Sequence, residues 1–201
     1  MGRWPGGTRE KVQRAALELF ADRGYGATTV DDIAARAGVS ARTVFRHFRD
    51  KEEVLFGADD ELGAVLSDAA RSAPPDLSPL AVVHHALDAL AVALGPDRDA
   101  LRRRAAVLAS DVALQGRDLT KQARWTALLA EELVARGAPR GTAELLAATG
   151  AAAFRATYTA WLTGAGDGGL QERLDTARAA QERAWTGPWR GGGGSRPGPR
   201  S

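Results

Sequence analysis

Apolar residues recur along this chain at helical rather than strand spacing, and helix punctuation divides the pattern into nine segments. In residues 8–23, Val12, Ala16, Leu19 and Phe20 follow an i, i+4, i+7, i+8 order, with Thr8 placed to cap the start and Gly24 to end the last turn. Thr29, followed three residues on by Asp32, has the form of a capping box. It predicts a second helix over about 30–37, with Val30, Ile33, Ala34 and Ala37 facing inward. Gly38-Val39-Ser40 leaves room only for a tight turn, and Ser40 then caps a third helix over about 41–47. Asp50 to Glu53 repeats the capping pattern and opens a long fourth helix over about 51–72, stopped by Ala73-Pro74-Pro75.

The remainder continues in the same period. Ser78-Pro79 opens a helix over about 79–94, ended by Gly95-Pro96, and Asp97 opens another over about 98–114. Gly116 breaks that segment, about 118–136 follows and ends at Gly137-Ala138-Pro139, Thr142 opens about 143–163, and about 170–186 is the last helix. Composition agrees: 41 Ala and 22 Leu against only 13 Ile and Val together make helix formers dominant in 201 residues. The expected fold is all-α with about nine helices. The Gly/Pro/Arg-rich tail at 187–201 is too poor in apolar surface to offset its ordering entropy and is expected to be disordered.

Charge sharpens the picture. The net charge of +2 hides an asymmetry, because residues 1–51 carry 10 basic side chains against 6 acidic ones and residues 52–186 carry 14 against 19. A basic N-terminal quarter on an acidic body points to an anionic partner, nucleic acid first among them. The 24 Arg against 3 Lys, with no Asn and one Ile, also reads as a bias of the coding sequence. The absence of Cys excludes disulfides, zinc-thiolate sites and cysteine nucleophiles and suits a reducing cytoplasm. No signal-like N-terminus and no long apolar run is present, so a cytoplasmic protein without a membrane anchor is expected.

Catalytic signatures are missing. His84 and His85 are adjacent on a helix and diverge by about 100°, too far to share a metal, and neither H-E-x-x-H nor G-x-S-x-G occurs. Gly164-Ala-Gly-Asp-Gly-Gly169 fits G-x-G-x-x-G but follows a helix rather than a strand, so it reads as a loop. No enzyme, metal site or cofactor is expected.

A helix, a short Gly-containing turn and a second short helix form a helix-turn-helix, whose second helix lies in a DNA major groove. Residues 30–47 have that form. Val44 and Phe48 belong to its buried face, leaving Arg42, Thr43, Arg46 and His47 on or near the exposed one, with side chains suited to base edges and phosphates. Between residues 36 and 51, Arg36, Arg42, Arg46, Arg49 and Lys51 face a single acid, Asp50. The run Thr28-Thr-Val-Asp-Asp-Ile-Ala-Ala-Arg-Ala-Gly-Val-Ser-Ala-Arg-Thr-Val-Phe-Arg-His-Phe, continuing to Lys51-Glu-Glu-Val-Leu-Phe56, resembles the DNA-binding segment of the TetR family of bacterial transcriptional regulators. The likeness covers about residues 8–56. It implies DNA-facing positions at Ser40, Arg42, Thr43, Phe45 and His47, and phosphate contacts at Thr28, Thr29, Arg36 and Lys51. Phe45 stands where the family more often has a Tyr whose hydroxyl reaches a phosphate, a contact that Phe cannot make.

The resemblance implies a DNA-binding domain at 1–51 and a ligand-binding and dimerisation domain at 52–186. It further implies a ligand-responsive repressor that binds a palindromic double-stranded operator as a homodimer and leaves it when a small-molecule effector binds. The alternative is a helical adaptor without sequence-specific DNA binding. Ala147, Gly150, Ala151, Phe154, Tyr158 and Trp161 share one side of a helix, as do Leu170, Leu174, Ala177, Ala184 and Trp185 on the next. Each stripe reads equally as intrachain core or as a seam with a second subunit. His84 and Arg104 fall on or beside apolar faces, where a buried polar group needs a partner: a ligand, or a side chain such as Glu132. With Trp125 and Tyr158 they are the candidate effector contacts. The segment Arg42-Thr-Val-Phe-Arg-His-Phe48, together with the 124–163 helices, also resembles the subgroup of that family proposed to sense acyl-CoA-like molecules.

Overall fold

Local capping sets the helix starts in the N-terminal third of the computed structural model, which describes residues 7–57, 59–95, 97–164 and 168–186. Helix α1 (Thr8–Arg23) begins after Gly7 without a side-chain cap, so Thr8 is its first residue rather than its cap. Helix α2 (Val30–Ala37) opens on a complete capping box. The Asp32 N–H donates to the Thr29 hydroxyl oxygen at 3.1 Å, and the Thr29 N–H donates to the Asp32 carboxylate at 2.9 Å. It ends at Gly38, whose left-handed φ of 69° is open to glycine at little cost. Ser40 caps α3 (Ala41–His47), and Asp50 caps α4 (Lys51–Phe56).

Ten helices and no strand occur among the described residues, in line with the all-α expectation. Two boundaries differ from it. The single helix expected over 51–72 is divided into α4 and α5 (Asp59–Ser72), because the Gly57 carbonyl accepts from Arg9 Nη2 at 2.6 Å. A Cβ at Gly57 would lie 2.7 Å from the Glu53 carbonyl oxygen, so this closure needs glycine. Helix α6 (Pro79–Leu94) matches its expected span. The next boundary falls between α7 (Arg98–Ala109) and α8 (Val112–Ala135) rather than at Gly116, which lies inside α8. Asp111 takes the N–H groups of Ala113 and Leu114, and such a cap outweighs the roughly 1 kcal/mol helix penalty of one exposed glycine. Helices α9 (Arg140–Thr163) and α10 (Leu170–Thr186) complete the chain, with Thr142 inside the first turn of α9 instead of capping it. The tail at 187–201 and part of the 164–169 loop lie outside the described residues.

Three apolar cores hold these helices. The first joins α1 to α4 with Val107, Leu108 and Leu114 of α7 and α8, the second packs α5, α6, α8 and α9, and the third docks α10 on the ends of α6 and α9. Gly150 lets α9 approach α6 closely, since a Cβ there would meet Val83 Cγ1 at 2.4 Å. The stripe through Ala147, Gly150 and Trp161 is therefore intrachain core. Leu170 and Leu174 are core as well, so of the two alternatives these positions take the intrachain one. The outward side of α9 is instead Leu145, 66% exposed, with Ala148, Ala152 and Ala156. The side chains of Ala184 and Trp185 lie outside the described residues. No single helix among the described residues is long and apolar enough to cross a membrane.

Candidate nucleic-acid interface

Two buried anchors orient α3. Val44 and Phe48 are 1% and 2% exposed in the N-terminal core. At about 100° per residue, both lie about 160° around the helix from Arg46, which therefore points straight outward. Arg42 and Thr43 flank it, while Phe45 and His47 stand about 100° to either side. Phe45 is 55% exposed, and Arg42, Thr43, Phe45 and Arg46 surround one shallow, open depression.

The cations of this segment divide into two groups. Arg36 pairs with Glu18 at 3.1 Å and Asp22 at 3.8 Å on α1, and Arg49 pairs with Glu53 at 3.2 Å. Lys51 Nζ donates to the carbonyls of Tyr25 at 2.7 Å and Thr28 at 3.1 Å and lies 4.2 Å from the Tyr25 ring centre. Burial, followed by the Glu52 and Asp50 carboxylates, pushes that phenol up to about 12 and keeps it neutral. Arg42 and Arg46 make no ion pair or hydrogen bond among the described residues. They are the exposed positive charge of α3.

The hydroxyls expected at phosphates are occupied. Thr28 is 1% exposed and donates to the Gly24 carbonyl at 2.9 Å. The Thr29 hydroxyl donates to Asp32 at 2.6 Å, and its hydrogen bonds hold the Asp32 carboxyl below the usual range. Ser40 caps α3 and lies 2.9 Å from the Thr43 hydroxyl. His47 is half-buried, with Nε2 turned inward and without a partner among the described residues. Of the nine expected contacts, Arg42, Thr43, Phe45 and His47 thus lie on α3, while the side chains of Thr28, Thr29, Arg36, Ser40 and Lys51 brace the frame around it. Arg46, already placed on the exposed face by counting outward from Val44 and Phe48, is absent only from the contacts that the resemblance implies. Lys51→Met is expected to cost about 1–3 kcal/mol in denaturant unfolding, because two carbonyls lose their donor. Wild-type stability with weakened DNA binding would instead make Lys51 a phosphate contact.

The four candidate effector residues do not converge on one place. Arg104 of α7 donates to the Leu55 carbonyl at 3.3 Å and lies 5.5 Å from the Phe56 ring centre. Tyr158 stacks on Phe154 at 6.1 Å; burial raises its phenol and nearby Arg104 pulls the other way. Trp125 packs over Gly63 beside Lys121, which pairs with Asp118 at 2.5 Å on the same helix. Arg104 and Tyr158 thus share a neighbourhood among α4, α7 and α9. His84 lies elsewhere, against α10, where Arg178 pairs with Asp88 at 2.9 and 2.5 Å. Glu132 partners neither His84 nor Arg104, since it binds Ser67 and Arg71.

Burial, then the Arg178 charge, holds the His84 imidazole below its ordinary 6.5, against the pull of Asp88 and Glu182. Its contribution to stability is present above the unfolded value and is lost as pH falls through the folded one. Melting temperature should therefore drop below pH 6.5 more steeply in the wild type than in His84→Gln. Equal slopes would contradict this.

The family model described as Bacterial regulatory proteins, tetR family, matches residues 13–58, which include the α2–turn–α3 unit. The HTH-type transcriptional repressor Rv3405c of Mycobacterium tuberculosis is 41% identical over 75 residues, 37% of this chain and 40% of that protein. The HTH-type transcriptional regulator TcmR of Streptomyces glaucescens is 39% identical over 92 residues, 46% of this chain and 39% of that protein. The chain thus matches about 40% of the length of these curated relatives. Among solved structures, the TetR-family repressor FadR of Thermus thermophilus in complex with lauroyl-CoA aligns at a TM-score of 0.56. It is 24% identical, with 96% of this chain and 100% of that one covered. A TetR regulator of Nitrosomonas europaea gives a TM-score of 0.61 at 22% identity, with 88% and 98% covered. These two likenesses are of fold. Residues 13–58, seated on the core of α1 to α4, thus carry the N-terminal domain described for the tetR family of bacterial regulatory proteins.

Proposed function

We propose that this protein is a transcriptional repressor that binds a palindromic operator as a homodimer in the cytoplasm and is released by a small-molecule effector. The observation that carries the reading is the outward face of α3, where Arg42 and Arg46 stand unpaired among the described residues at the second helix of a helix-turn-helix. Arg42, Thr43, Phe45 and His47 meet the duplex, while Thr28, Thr29, Arg36, Ser40 and Lys51 fix the pose of the head. Two heads in successive major grooves place half-sites about one helical turn, roughly 34–36 Å, apart. The outward small-residue side of α9, together with α10, supplies the seam for the second copy.

The effector enters among α4, α7, α8 and α9, against Arg104, Tyr158 and Trp125. An acyl-CoA-like molecule is the favoured class, supported by the lauroyl-CoA complex of the Thermus fold neighbour. The reading is tested by gel retardation with a duplex from upstream of the protein's own gene. Retardation that an excess of unrelated duplex does not abolish is the expected result. Failure to retard that duplex at low salt would overturn the reading and favour a helical adaptor.

A further inference from the structure

We infer that each operator half-site carries two guanines one or two base-pair steps apart, read by Arg42 and Arg46. The inference rests on the proposed DNA-binding function and adds the sequence class that the protein selects. Arg46 lies opposite the buried pair Val44 and Phe48, and Arg42 is one helical turn before it, so both exposed side chains leave α3 on its outward side. Phe45 and His47, at the sides of α3, fall where the rims of a groove carry sugar and phosphate. Neither arginine is held by an acid among the described residues, in contrast to Arg36 and Arg49.

The choice of base follows from the side chains available. A guanidinium fork donates two parallel hydrogen bonds, and guanine alone offers two adjacent major-groove acceptors, O6 and N7. Adenine puts a donor beside N7 and would repel one arm of the fork. The run Ala41–His47 contains no Asn, Gln, Asp or Glu, the residue types that read adenine or cytosine. Four residues of helix rise about 6 Å, which spans one to two base-pair steps of about 3.4 Å each.

The test is selection by the full-length chain from a randomised duplex library, followed by binding titrations on the recovered site. Each half-site is expected to carry the guanine pair. Arg42→Ala and Arg46→Ala should each relax one of the two positions and weaken binding about 5- to 150-fold. Replacing one guanine by 7-deazaguanine, which lacks the N7 acceptor, should reproduce the loss in the wild type and add little in the variant lacking its partner arginine. Arg→Ala variants that weaken binding equally on all sequences, with wild-type base preference, would assign both arginines to phosphates and overturn the inference. Enrichment of sites without a guanine pair overturns it too. Recovery of no sequence above background overturns the repressor reading itself, and this inference with it.

Discussion

Replacing Phe48 with alanine is expected to destabilise the N-terminal core by about 3–5 kcal/mol, as for other buried Phe-to-Ala changes. Phe48 is 2% exposed, its N–H closes the last turn of α3 on the Val44 carbonyl, and the Arg9 guanidinium lies 4.9 Å from its ring centre. It also bears on the α4–α5 break, since a Cβ at Gly57 would sit 3.3 Å from Phe48 Cε1. Truncation opens a cavity where α1, α3 and α4 meet, so the pose of α3 is lost with the stability. Denaturant unfolding followed by circular dichroism should show a lower midpoint with little change in slope. Phe48→Leu should recover most of the loss. A cost below about 1 kcal/mol for the alanine variant would mean that Phe48 does not anchor α3.

The second large effect is expected at Trp161, where alanine should cost about 3–5 kcal/mol. Trp161 is 4% exposed in the core that docks α10, beside Ala91, Leu162, Leu170 and Leu174. Its indole N–H donates to the Gly168 carbonyl at 3.0 Å, and Arg98 lies 5.5 Å from its ring centre. Loss of the ring removes the wedge between α9 and α10, leaving Arg178 and Asp88 as the main polar tie of α10 to α6. If the proposed homodimer forms through α9 and α10, sedimentation should then show fewer dimers and DNA affinity should fall, although α3 is untouched. Trp161→Phe, which keeps most of the apolar volume, should stay dimeric. A stable dimeric Trp161→Ala protein would separate this core from the subunit seam.

The helix-turn-helix was legible in the sequence because its determinants are local. Thr29 with Asp32, Gly38, Ser40 and Asp50 act within a few residues, and the observed bounds of α2 and α3 coincide with the expected ones. The α4–α5 break was not legible, because it depends on Arg9 capturing the Gly57 carbonyl from 48 positions away. The α7–α8 boundary is hidden for another reason: the isolated Gly116 is the stronger break signal in the sequence, while the Asp111 cap sets the observed start of α8.

At the site, residue types indicated which side chains suit DNA but not which were already occupied. Thr28, Arg36 and Lys51 have the chemistry of phosphate contacts, yet their partners lie on α1 and the loop after it. The neighbourhood of Arg104 and Tyr158 is tertiary, joining elements about 50 and 100 residues apart that no spacing rule connects. His84 shares their apolar pattern but faces α10 instead.

The most direct measurement is a titration of the full-length protein against its upstream duplex at several salt concentrations, with the stoichiometry of the complex recorded. Two chains per duplex are predicted, with log affinity falling linearly against log salt at a slope of about −0.9 per neutralised phosphate. A solution monomer that ignores the duplex at low ionic strength would contradict the account.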